Sequence, residues 1–146
     1  MAYDLKSEEE VKEYIKNLGI EYRFGCFKEK KPEVCHLLGD YLEAISKDFQ
    51  KAAKVYRSNC EDYNFAKSCY KIANYHVVGR GGVEQSQEKS IKYYEKGCDL
   101  GDIDSCFRAG VVSLLNSKKG QPFASFARVS VIIFVIIFVK FSLIFI

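Results

Sequence analysis

From Val11 onward, apolar positions recur three and four residues apart, the signature of helices that bury one face and wet the other. Val11, Tyr14, Ile15 and Leu18 form the first such stripe. It begins behind a capping-box pair, in which the Ser7 side chain accepts from the Glu10 amide and the Glu10 side chain returns to the Ser7 amide. Gly19 is placed to end that helix, since glycine takes the left-handed conformation that closes one. Ile20, Tyr22, Phe24, Cys26 and Phe27 then predict a second, short helix, and Pro32 marks the start of another, at a position that needs no amide donor.

Two amphipathic patterns follow. Cys35, Leu38, Tyr41, Leu42 and Ile45 share one face of a helix A, with Gly39 where a neighbouring helix could approach closely. Phe49, Ala52, Ala53, Tyr56 and Cys60 share one face of a helix B. The pair then returns, with Cys69, Ile72, Ala73 and His76 on helix A and Ser90, Ile91, Tyr94 and Cys98 on helix B. Between them GRGGV lengthens the connection by four residues, and Gly79, Gly81 and Gly82 permit a tight corner there. A third unit opens on Cys106, Ala109, Gly110 and Ser113 and stops after its first helix. Aligned on the second cysteine of each pair, CHLLGDYL, CYKIANYH and CFRAGVVS superimpose, with periods of 34 and 37 residues. A hairpin of this size cannot bury its apolar faces alone and needs a neighbour, which makes the expected fold an all-α solenoid. The expected organisation is capping helices over 1–30, repeats over 31–66 and 67–103, a partial repeat over 104–120 and an apolar tail over 121–146.

Composition is that of a helical globular protein, and the net charge of +3 is too small to mark a partner. Lys and Arg are scattered among Asp and Glu with no basic, aromatic-interleaved stripe, so nucleic acid is not an expected partner. The six cysteines, even in number and without CxxC spacing, favour disulfides over zinc and imply an oxidising compartment. MAYDLKSEEEVKEYIK has neither an apolar signal core nor an Arg-rich transit helix. A disulfide protein of that kind is expected in the mitochondrial intermembrane space; a cytosolic protein with six free thiols is the competing reading.

GDIDSCFRAG, the loop GRGGV and SIKYYEKGC together resemble the Sel1-like repeat family. Over about residues 5 to 115 the chain is similar to its cysteine-rich mitochondrial members. That resemblance implies a non-enzymatic scaffold for respiratory-chain assembly, notably of cytochrome c oxidase and with complex I as a further candidate. It implies respiratory-chain subunits or assembly intermediates as partners, and oxidation on import by the disulfide relay of the intermembrane space. Bacterial cysteine-rich members associated with penicillin binding and hydrolysis make an enzyme the alternative, and a general peptide-binding adaptor is a third reading.

Each cysteine pair would join the end of one helix to the first turns of the next. The expected bonds are Cys26–Cys35, Cys60–Cys69 and Cys98–Cys106. A catalytic redox role wants a low-pKa thiolate, usually in CxxC at a helix N-terminus, and no pair has that spacing. His36 aligns with Tyr70 and Phe107, and His76 with Leu42 and Ser113, so both read as core-edge packing residues rather than metal or haem ligands. No nucleophile motif, HExxH or phosphate loop is present, and no cofactor or metal is expected. Asp and Glu are expected on solvent-facing helix positions, in i,i+4 pairs with Lys. Tyr41, Tyr56, Tyr75, Tyr93 and Tyr94 could line a groove, although most are expected to pack.

From Phe123 the composition turns apolar, and Val129 to Ile146 would span about 27 Å as a helix. Lys140 interrupts the run, and no Trp or Tyr marks an interface. An alternatively spliced or read-through segment, a membrane anchor and a replacement helix are the three readings. In each of the first two the tail makes the full chain prone to sediment or to associate with membranes.

Overall fold

The computed structural model describes residues 7–117, and among them lie six helices and no strand. They are α1 (Glu8–Phe27), α2 (Pro32–Ala44), α3 (Phe49–Glu61), α4 (Ala66–Val78), α5 (Gln87–Asp99) and α6 (Ile103–Ser117). Each packs mainly on the helix before it and the helix after it, with a smaller contact between α4 and α6. This is the stacking of an all-α solenoid. Pro32 opens α2, as its missing amide allows. Side-chain caps start four other helices: Ser7 accepts from the Glu10 amide, Asp48 from Lys51, Ser86 from Lys89 and Asp102 from Ser105.

The first departure from expectation is α1, which runs unbroken through Gly19 for 20 residues. A closing glycine takes positive φ, and among the described residues the glycines that do so are Gly79, Gly81, Gly82 and Gly101. Gly19 serves contact instead. A Cβ there would stand 2.5 Å from Cζ of Tyr41, so the missing side chain lets the tyrosine ring lie on the helix. A second departure is Ile45, which caps α2 and is exposed rather than continuing its buried stripe.

The core runs as one cluster from Cys26 and Cys35 through Leu38, Tyr56, Cys60, Cys69 and Ile72 to Val83. A smaller one gathers Ala73, Tyr94 and Ala109. The α2–α3 connection occupies residues 45–48 and the α4–α5 connection residues 79–86. The longer corner folds back on the first hairpin. A Cβ on Gly81 would stand 2.9 Å from the carbonyl carbon of Phe49, and φ there is +66°, so this position requires glycine. Gly110 aligns with Gly39, but a Cβ there would meet none of the described residues within 4 Å, and Phe107 and Ile103 near it on α6 are exposed. Residues 1–6 and 118–146, and with them the apolar tail, lie outside the described residues. Among the described helices none is long and apolar enough to cross a membrane.

Candidate functional site

Three disulfides clasp successive helices. Cys26 in the last turn of α1 is bonded to Cys35 in the first turn of α2, Cys60 of α3 to Cys69 of α4, and Cys98 of α5 to Cys106 of α6. The Cα atoms are 4.5, 4.8 and 4.5 Å apart, and no cysteine is free. With respect to its clasp, α1 therefore stands where a helix B of a preceding repeat would stand.

The residues just before each cysteine also meet. A Cβ on Gly25 would stand 2.7 Å from Cγ1 of Val34, and one on Gly97 would stand 2.9 Å from Cβ of Ser105. At the central clasp the same two positions carry Asn59 and Ser68, whose polar ends answer each other. Asn59 Nδ2 donates to Ser68 Oγ at 2.8 Å and to the Pro32 carbonyl at 2.8 Å. Two helix termini can close this tightly because one position of each facing pair is glycine or because the pair is hydrogen-bonded.

A second recurring element lies four residues before the cysteine of each helix B. The Tyr56 hydroxyl donates to Asp40 at 2.7 Å, and Tyr94, its equivalent, donates to Asn74, the equivalent of Asp40. Both rings are buried. In the first repeat the bond grows into a network. Tyr56 also lies 3.1 Å from Glu43, while Lys71 of the next repeat pairs with Glu43 at 2.8 Å and Asp40 at 3.0 Å. The expected i,i+4 pairs join Glu8 with Lys12 and Glu88 with Lys92, whereas here the pairing crosses between repeats. Burial, followed by the hydrogen bond to Asp40, pushes the Tyr56 hydroxyl far above the usual tyrosine range. It stays protonated and donates to the carboxylates beside it.

Both histidines sit in packing positions. His36 lies against the rings of Tyr56 and Phe65, with Nδ1 3.0 Å from Ser68 Oγ. Its Nε2 lies 3.6 Å from Asp40. His76 stacks on Tyr93, and its Nδ1 is 2.9 Å from the Glu84 carbonyl, which makes Nδ1 the donor. Among the described residues no group of three His, Cys, Asp or Glu could hold a metal ion.

Burial lowers the pKa of both histidines below the ordinary 6.5. The unfolded chain then binds protons that the folded chain refuses, so their contribution is complete above pH 6.5 and is lost as pH falls below it. Burial opposes the ionisation of Asp40, but hydrogen bonds from Tyr56 and Lys71 outweigh it and hold the carboxyl below 3.8. That contribution survives to lower pH and disappears as Asp40 is protonated. The melting temperature should therefore descend in two steps on acidification, and a His36→Gln/His76→Gln variant should lose the first while keeping the second. Thermal melts by circular dichroism between pH 7.5 and 3 check this; no change in the parent chain from pH 7 to 5 would refute the assignment.

Of the five tyrosines that could have lined a groove, Tyr56, Tyr75 and Tyr94 are buried in the core. Tyr41 and Tyr93 remain partly exposed, Tyr41 edge-on to Tyr22 and Tyr93 on His76 with its hydroxyl at Glu61. Sequence reading missed the network of Asp40, Glu43 and Lys71. The available signal was the alignment that sets Tyr56 beside Tyr94 and Asp40 beside Asn74.

The family model for the Sel1 repeat matches residues 32–57 and 66–102, the two hairpins of α2 with α3 and of α4 with α5. Those two hairpins match as Sel1 repeats. Curated Sel1-repeat relatives include the cytochrome c oxidase assembly factor 7 homolog of Drosophila melanogaster, 58% identical over 84% of this chain and 46% of that protein. Cytochrome c oxidase assembly factor 7 of Xenopus tropicalis is 44% identical over 75% of this chain and 49% of its own length. The Homo sapiens protein of that name is 35% identical over 86% and 56%. The chain thus spans about half the length of the curated relatives it matches. Among solved structures, Helicobacter pylori cysteine rich protein B aligns with a TM-score of 0.48 and 25% identity, over 68% of this chain and 91% of that one.

Proposed function

We propose that this Sel1-repeat chain is a non-catalytic scaffold in the assembly of mitochondrial respiratory-chain complexes, cytochrome c oxidase first and complex I second, and that it works in the intermembrane space. The observation that carries the proposal is the 58% identity, across 84% of the chain, to a protein named as a cytochrome c oxidase assembly factor 7 homolog. The geometry is consistent with it. Apart from Asn59 Oδ1, the polar groups at the central clasp and at Tyr56 are engaged with one another, which suits a rigid binding surface better than proton transfer. Oxidation by the disulfide relay of the intermembrane space would install the three clasps, and respiratory-chain subunits or their assembly intermediates are the partners.

The test is to replace the endogenous protein with a tagged copy of this chain, isolate it from mitochondria under non-reducing conditions and identify what comes with it. Subunits or assembly intermediates of cytochrome c oxidase should co-purify, and depletion should lower the assembled complex and its activity. Normal assembly after complete depletion would overturn the role. The enzymatic alternative is less favoured, because the curated relatives are named as assembly factors. Turnover of nitrocefin by the oxidised chain alone would revive it.

A further inference from the structure

On the side of the solenoid formed by α1 and α3, a cavity of about 560 Å³ opens between these two helices, with α2 as its floor. Its floor is apolar: Leu38, Leu42 and the Cys26–Cys35 disulfide. Its walls carry Arg23 and Lys30 on the α1 side and Lys51 and Lys54 on α3, and its lining holds no carboxylate. Lys51 is paired with Asp48 at 2.8 Å, whereas no ion pair among the described residues engages Lys30 or Lys54.

The next gap along the stack explains why this one is open. Counting back from Cys60 and Cys98, Val55 and Ser58 of α3 are the equivalents of Tyr93 and Lys96 of α5. Tyr93 reaches across to Glu61 of α3 and Lys96 to the Glu61 carbonyl, 3.5 Å away. In the first gap the short side chains of Val55 and Ser58 line the cavity, and Phe27, the equivalent of Glu61, stands exposed. Phe27 also ends an exposed stripe of α1, Ile20, Phe24 and Phe27. Ile20 and Phe27 are about 10 Å apart along the helix. Finally Asn59, which lines the cavity, has a buried Oδ1 with no hydrogen-bond partner.

We infer that the groove between α1 and α3 docks an acidic segment of a partner protein that inserts a large apolar side chain where Tyr93 sits in the following gap and sets carboxylates against Arg23, Lys30 and Lys54. Arg23, Lys30 and Lys54, which no ion pair among the described residues engages, select a negatively charged occupant. They argue against the chain's own residues 118–146, which carry Lys118, Lys119, Arg128 and Lys140 and no Asp or Glu. The recessed floor argues against a lipid surface: Leu38 and Leu42 are 1% and 4% exposed, within reach of an inserted side chain but not of a flat bilayer. The apolar stripe of α1 extends the contact beyond the cavity, as a helical segment laid along the groove would use it.

The probe is a fluorescent twelve-residue peptide, EEEFEELFEEEA, titrated by anisotropy into the full oxidised chain. It should bind saturably, weaken with added salt, and lose about tenfold or more in affinity to a Lys30→Glu/Lys54→Glu variant. Val55→Tyr/Ser58→Lys, which builds the filling of the second gap into the first, should abolish binding while leaving the helical melt unchanged. A peptide with lysine for every glutamate should not bind. Equal binding of that lysine peptide, indifference to Val55→Tyr/Ser58→Lys, or capture of anionic vesicles in place of the peptide would each overturn the assignment. So would a concentration-dependent dimer that competes with the peptide for the groove, since the occupant would then be a second copy.

Discussion

Under full reduction the chain should lose its cooperative helical melt. Each clasp closes a short loop, with partners nine, nine and eight residues apart. The chain-entropy model assigns a loop of this length about 2.7 kcal/mol. The three loops follow one another without overlap, so their constraints on the unfolded chain add, to roughly 8 kcal/mol. That sum is comparable with the whole stability of a small domain, roughly 5–15 kcal/mol. Circular dichroism with and without a phosphine reductant, at matched pH, measures the effect. Removing the central clasp alone, as Cys60→Ala/Cys69→Ala, should lower the melting temperature by about 10 °C or more. A reduced chain with an unchanged, cooperative melt would show that apolar stacking suffices and that oxidation is incidental to the fold.

Gly39→Val should cost about 3 kcal/mol, whereas Gly110→Val, at the aligned position of the third repeat, should cost about 1 kcal/mol or less. A Cβ on Gly39 would stand 2.7 Å from both Cδ1 and Cζ of Tyr56. The Tyr56 ring is fully buried, edge-on to Tyr75 at 5.9 Å, and tied by its hydroxyl to Asp40 and Glu43. It cannot yield without breaking those bonds and the link from Lys71 into the same carboxylates. A Cβ on Gly110 would meet none of the described residues within 4 Å. Chemical denaturation of the two variants against the parent separates them, and equal losses would mean that Gly39 acts through helix propensity alone.

The contrast between those glycines marks how far the sequence could be read. The repeat, the hairpins and the facing cysteines were legible because each rests on a period: apolar residues three and four apart, and cysteines at matching points of successive units. Gly19 was misread because a glycine that ends a helix and one that admits a neighbouring ring look alike until the ring is seen. Asp40 and Glu43 were not linked to Lys71 because it lies about thirty residues away, beyond the i,i+4 range that a helical pattern reveals. The groove was invisible for a related reason. Val55 and Ser58 look unremarkable, and they matter only because Tyr93 and Lys96 close the equivalent gap.

By itself, then, the amino-acid order determined the helices, their pairing into hairpins and the points where sulfur joins them, since these depend on local spacing and on the need of each hairpin for a neighbour. The tertiary structure alone decided which glycines admit a ring, which carboxylates meet a lysine from the next repeat, and which gap between helices stays open. Those outcomes depend on side-chain volume at contacts between segments far apart in the chain, and no period in the sequence records it.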